Sequence, residues 1–132
     1  MSFSQKIQMW RKKVDKQMSD QKREVILRLF RAVIYDTPVL EGTLRANWRC
    51  SANSPLASAI EYRPADAVMQ EIQAVLNGAL LADTIYLRNN LPYAYAIEYL
   101  GHSKIKAPQG MMRKNVARFN TIAKQVLGNS II

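Results

Sequence analysis

From about Ser4 to Tyr35 the chain contains neither proline nor glycine. Nothing else in the sequence restricts the fold as strongly. Phe3, Ile7, Trp10, Val14 and Met18 recur at steps of three and four, which sets them on one stripe of a helix. From Val25 the apolar set widens to Val25, Ile26, Leu29, Phe30, Val33 and Ile34, predicting deeper burial in the second half. Thr37-Pro38 ends the helix, because a residue that precedes proline is pushed out of the helical region. Lys12, Lys16 and Arg23 fall on the face opposite Phe3, Ile7 and Trp10. That basic face is either solvated or turned to an acidic surface or nucleic acid. It lacks the interleaved aromatics of a single-strand binder.

The remaining elements are shorter. Pro38 and Gly42 mark a turn. From Leu44 the pattern alternates, with Leu44, Ala46, Trp48 and Cys50 on one side and Arg45, Asn47, Arg49 and Ser51 on the other, as in a strand with one buried face. Ala52 to Pro64 reads as a loop that allows a short strand near Ile60 to Tyr62. Ala65 to Ala82 reads as a second helix, with Val68, Met69, Ile72, Val75, Leu76 and Leu80 at helical spacing and Gly78 weakening its end. Thr84 to Arg88 is a short strand and Asn89-Asn90 a turn. Gly110 to Leu127 reads as a last amphipathic helix, Met112, Val116, Phe119, Ala123 and Val126 on one face and Arg113, Lys114, Arg118 and Lys124 on the other, stopped by Gly128-Asn129. A short helix or loop precedes it. The fold expected is α+β, a small antiparallel sheet packed against a long N-terminal helix, a middle helix and a C-terminal amphipathic helix. Residues 1–132 make a single domain. Short strands leave sheet edges open to pairing with another chain.

Charge and chemistry bound the function. Lys and Arg number 19 against 10 Asp and Glu, a net charge of +9 that favours polyanionic or acidic partners without choosing among them. The single cysteine, Cys50, cannot form an intrachain disulfide and reads as a buried inert thiol in a reducing cytoplasm. The opening MSFSQKIQMWRKKVDKQ has no apolar block of signal-peptide length, and no stretch approaches the ~18 apolar residues of a membrane span. One histidine, His102, could pair with Cys50 in a hydrolase only if the fold brought both to a third, orienting group. No Cys or His pair has metal-ligand spacing, and the five glycines stand too far apart to cradle phosphate. No catalytic, cofactor-binding or metal-binding residue is therefore assigned. Glu98 stands apart, since among Tyr93, Tyr95, Ile97 and Tyr99 a carboxylate needs an Arg or Lys from a neighbouring element or subunit. Tyr93 and Tyr95, like Met111 and Met112, fit either core or contact surface, and the chemistry favours core.

Three stretches together carry a resemblance. TPVLEGTLRANW (Thr37 to Trp48), NNLPYAYAIEYLG (Asn89 to Gly101) and KAPQGMMR (Lys106 to Arg113) resemble, in order and spacing, the gene-product-ten-like tail-completion or head–tail joining family of tailed bacteriophages. Leu40-Glu41 stands where family members often carry Asp-Thr, and His102 intervenes before Ser103. The resemblance implies a structural subunit of the virion neck, assembled in the host cytoplasm, that completes the tail and joins the tail tube protein to the head connector. It implies no enzyme and no membrane. Such subunits commonly form rings, a homo-oligomer such as a hexamer, with DNA crossing the lumen. On that reading Tyr93, Tyr95, Glu98, Gly101, Lys104, Lys106, Pro108, Gly110, Met111 and Met112 are the expected interface residues. The alternative is a basic nucleic-acid-binding module using Lys12, Lys16 and Arg23.

Overall fold

A computed structural model of the chain describes residues 1–39, 42–60, 62–99 and 110–128, with the side chains of Tyr93 and Ala96 outside that description. Helix α1 spans Phe3–Asp36, 34 residues and so about 51 Å at 1.5 Å per residue. Its start is a capping box that the Ser-x-x-Gln spacing encodes. The Gln5 N–H donates to Ser2 Oγ at 3.1 Å and the Ser2 N–H to Gln5 Oε1 at 2.9 Å. Thr37 leaves the helical region at φ −69°, ψ 126°, as the following proline requires.

The end of α1 is fastened by the next element of the chain. Helix α2 is one turn, Thr43–Ala46, entered through Gly42 at φ +82°. Arg45 of this turn donates to the carbonyls of Ile34 (3.0 Å), which also takes the Thr37 N–H, Tyr35 (3.2 Å) and Thr37 (3.3 Å), and so closes the end of α1. The alternation over Leu44 to Ala46 belongs to this turn, and the expected strand there is corrected. Leu44 and Ala46 are buried, as expected, but from a helix. Strand β1 starts at Trp48 and runs to Ala52. Its Trp48 and Cys50 point inward, so the period-two reading holds from that residue on.

Helix α3 spans Ala65–Gly78 and buries Val68, Ile72 and Leu76. It ends at Gly78 rather than Ala82, since Asp83 Oδ2 takes the Leu80 N–H at 2.7 Å and holds a turn, leaving Leu80 exposed. No strand forms at Ile60 or Tyr62. Instead Asn47 holds Ile60 on both sides, accepting its N–H at 2.7 Å and donating to its carbonyl at 2.5 Å. Strand β2, Ile85–Asn89, pairs antiparallel with β1, Trp48 opposite Asn89 and Cys50 opposite Leu87.

Helix α4 covers Pro92–Tyr99. The expected last helix is two pieces, α5 at Met112–Val116 and α6 at Phe119–Leu127, divided at Ala117 and Arg118. Arg118 sits at φ −90°, ψ 2°, and its N–H reaches back three residues to Asn115, so the helix changes phase. The single apolar face therefore does not exist. Val116 and Phe119 are exposed, while Ile122, Ala123, Val126 and Leu127 are half-buried. Lys114 and Asn115 reach Asp36 at the end of α1, and Val126 lies near Lys13 to Glu24, so α6 runs back along α1. The core lies between the second half of α1, α3 and the sheet: Phe30, Val33, Ile34, Trp48, Cys50, Val68, Ile72 and Leu76, closed by Leu44, Ala94 and Met111.

Candidate functional site

Two surfaces stand out, a clasp between α4 and α5 and the first half of α1.

The clasp is built on Glu98. Its carboxylate accepts the N–H groups of Met111 (2.5 Å), Met112 (3.0 Å) and Arg113 (2.7 Å), and the Arg113 Nε approaches at 3.4 Å. The Arg113 guanidinium also donates to the Glu98 carbonyl. The carboxylate thus answers the free N–H groups that open α5. Burial pushes the Glu98 carboxyl up, but the N–H groups of Arg113, Met111 and Met112 and the Arg113 charge outweigh it and hold it below the usual carboxylate range. Only glycine fits at position 110. Its φ is +82°, and a Cβ there would sit 2.5 Å from Glu98 Oε2 and 2.9 Å from the Glu98 carbonyl oxygen.

Several expected interface residues come together here. Glu98, Gly110, Met111 and Met112 share the clasp, and Glu98 (7% exposed) and Met111 (1%) are interior groups. The partner that Glu98 required is Arg113 of the same chain, together with backbone N–H groups. Core is borne out for Met111, but Tyr95 is corrected. It is 62% exposed and leans on Tyr99, ring centroids 4.9 Å apart, while Arg113 covers the Tyr99 ring at 4.7 Å. An outward-facing Tyr–Tyr–Arg patch therefore sits on a buried ionic anchor. Arg113, which the sequence places only on the basic face of the last helix, completes this patch through its bonds to Glu98 and its place over Tyr99. The Tyr93 side chain lies outside the described residues, as do Gly101, His102, Lys104, Lys106 and Pro108.

A second ionic group seals the sheet. Glu71 accepts from Arg49 (3.1 Å), from Arg63 (2.9 Å) and from the Cys50 N–H (3.0 Å), while Arg63 donates to the Ala46 and Trp48 carbonyls. Burial raises the Glu71 carboxyl, and the Arg63 bond, the Cys50 N–H and the two guanidinium charges bring it below its usual range. At the Trp48 carbonyl and the Cys50 N–H the outer edge of β1 is thereby covered by side chains, which corrects the expectation of an open edge at those two residues. Burial, with the Glu71 charge, pushes the Cys50 thiol up to about 12, so the inert reading of this cysteine stands. Among the described residues, no three His, Cys, Asp or Glu side chains come together as metal ligands, and no helix is long and apolar enough to cross a membrane.

The first half of α1 is different. Phe3, Ile7, Trp10 and Met18 are exposed, Phe3 at 79% and Trp10 at 63%. The basic face opposite is partly engaged. Lys16 meets Asp20 at 2.9 Å, and Arg23 meets Asp20 at 3.2 Å and donates to the Ala79 carbonyl at 2.8 Å, while Lys12 is exposed. Lys22 donates to the carbonyls of Leu81 and Asp83. Arg23 is therefore a clamp between α1 and the turn after α3, not part of a solvated face.

The chain matches no protein-family model, no curated protein and no solved structure.

Proposed function

We propose that this chain is a structural subunit of the tailed-phage neck, completing the tail and joining tail tube to head connector as a closed ring, and acting by docking. The observation that carries this reading is the Tyr95–Tyr99–Arg113 patch on the Glu98 clasp. Tyr and Arg are the side chains that contribute most at protein interfaces, and a rigid mount spares the entropy of ordering them on contact. The three stretches that carry the resemblance also support it, because they bond to one another. Trp48 Nε1 donates to Thr37 Oγ1 at 2.8 Å within the first, and Asn89 Nδ2 donates to the Leu44 carbonyl at 2.8 Å between first and second. Glu98 then joins the second to the third. In a head-to-tail ring, the clasp patch of one copy would meet the next copy, and closure would satisfy every such surface. DNA crossing the lumen agrees with the net charge of +9. The nucleic-acid-binding alternative rests on Lys12, Lys16 and Arg23, and two of these already hold partners within the chain.

Removing the coding sequence from a phage genome that carries it tests the proposal, with electron microscopy of the resulting particles. The expected result is filled heads and unjoined tails, restored by the wild-type chain and not by a folded Tyr95→Ala/Arg113→Ala variant. Normal infectious particles without the chain would overturn it.

A further inference from the structure

The exposed stripe of α1 has a shape that specifies its occupant. Phe3, Ile7 and Trp10, all exposed, and the half-buried Val14 step by four, three and four, the a/d spacing of a coiled-coil seam. On a helical wheel of 100° per residue the four fall within about 60°, narrower than the broad apolar face of a core-facing helix. Gln17 and Gln21 continue the same spacing, with the exposed Met18 at the margin of the stripe, and make the seam's centre polar where, with Val126 of α6, they line one open groove. The apolar part of the seam therefore lies on the segment of α1 farther from the core, which begins at Val25. The segment is a formed helix ready to be covered, held by the Ser2–Gln5 capping box and by the Arg11–Asp15 and Lys16–Asp20 pairs.

Charge then selects the partner. The positions that flank the seam, where a coiled-coil partner's flanking residues approach, are Lys6 and Lys13 on one side and Arg11 on the other. A second copy in parallel register would set Lys6 against Arg11. An antiparallel copy pairing Phe3 with Val14 and Ile7 with Trp10 would set Lys6 against Lys13. Sliding the antiparallel copy by one heptad moves it onto Gln17 and Gln21, beside α6; Lys6 then meets Asp20, which Lys16 and Arg23 already hold, while Lys13 opposes Lys13 and Arg11 opposes Arg11. We propose that the seam from Phe3 to Val14 is a docking site for one amphipathic helix of a different protein, with aliphatic a/d residues and Glu or Asp at its flanking positions. This inference concerns α1 alone and stands or falls separately from the neck assignment.

The test uses the full chain and Trp10 as reporter, because Trp48 is buried and bonded to Thr37. Two synthetic three-heptad peptides carry Leu at a and d, one with Glu and one with Lys at e and g. The glutamates also keep the first peptide from pairing with itself. The expected result is a blue shift of Trp10 emission with the Glu peptide, binding about tenfold tighter than with the Lys peptide and weakened by salt. A Lys6→Glu/Lys13→Glu variant should prefer the Lys peptide, and Ile7→Asp should bind neither while staying folded. Absence of a shift with either peptide, or equal binding of both, would overturn the proposal. So would a concentration-dependent shift of the chain alone, which would make a second copy the occupant. So, finally, would tighter binding to phosphatidylglycerol vesicles than to the Glu peptide.

Discussion

The two halves of α1 are one unbroken helix with opposite relations to water. From Val25 to Asp36 the helix is the spine of the core, with Val33 and Ile34 fully buried and its last carbonyls capped by Arg45. From Phe3 to Met18 the same helix carries comparable apolar residues into solvent. The difference lies in width and surroundings, not in helix formation. Among the described residues, the wide apolar face is covered by α3 and the sheet, while Phe3, Ile7 and Trp10 stay open to water. Large apolar side chains held in water along one line mark a place where another molecule binds, and regularity alone does not tell the two roles apart.

Substitutions at matching residues should separate the halves by the largest margin. Ile34→Ala is expected to lower stability by about 2–5 kcal/mol in urea melts, through lost burial and a cavity. Ile7→Ala should change it by no more than about 0.5 kcal/mol. Equal losses would mean that the first half is packed in the free chain.

The clasp sharpens it, since α5 and α6 are held by chemistry as well as by burial. Gly110→Ala forces a Cβ into the Glu98 carboxylate at a left-handed backbone position, and a loss of about 2–4 kcal/mol is expected. Glu98→Gln, which removes the charge and keeps one acceptor, should cost about 1–3 kcal/mol. The pH dependence has a definite sign. The folded carboxyl sits below its unfolded value, so its stabilising contribution is complete above the unfolded value and is lost as pH falls through the folded one. The gap between wild type and Glu98→Gln should therefore close on acidification below about pH 4. A gap independent of pH would show that the carboxylate is not ionised in the clasp. The smallest effect concerns Cys50, which should resist thiol reagents at neutral pH until the chain unfolds. Rapid labelling in the native state would mean that the sheet opens locally.

Much of the framework was legible in the residues. The span of α1, its stop at Thr37-Pro38, the burial of its second half, the start of α3 and the existence of two short strands follow from periodicity and punctuation. Single turns were not legible, because Leu44 and Ala46 alternate as well in a helical turn as in a strand. The break at Ala117 and Arg118 carries no proline or glycine to announce it. Long-range polar bonds were the least legible. The need of Glu98 for a partner could be read from its neighbours, but not that backbone N–H groups across the chain would supply it. Arg23, Arg45, Arg63 and Lys22 all look like surface charge in the sequence, and each donates to carbonyls left free at an element's end or edge. In a basic chain, part of the positive charge is thus structural cement, and less of it is free for a polyanion than the net charge implies.

The central claim is that the seam on the first half of α1 awaits an acidic helix. Amide hydrogen exchange along α1, measured with and without the Glu-flanked peptide, tests it most directly. Weak protection is expected from Phe3 to Met18 and strong protection from Val25 to Ile34 in the free chain, with the first segment slowed by about tenfold or more when the peptide is added. Uniform protection along the whole helix in the free chain, or a first segment indifferent to the peptide, would contradict it.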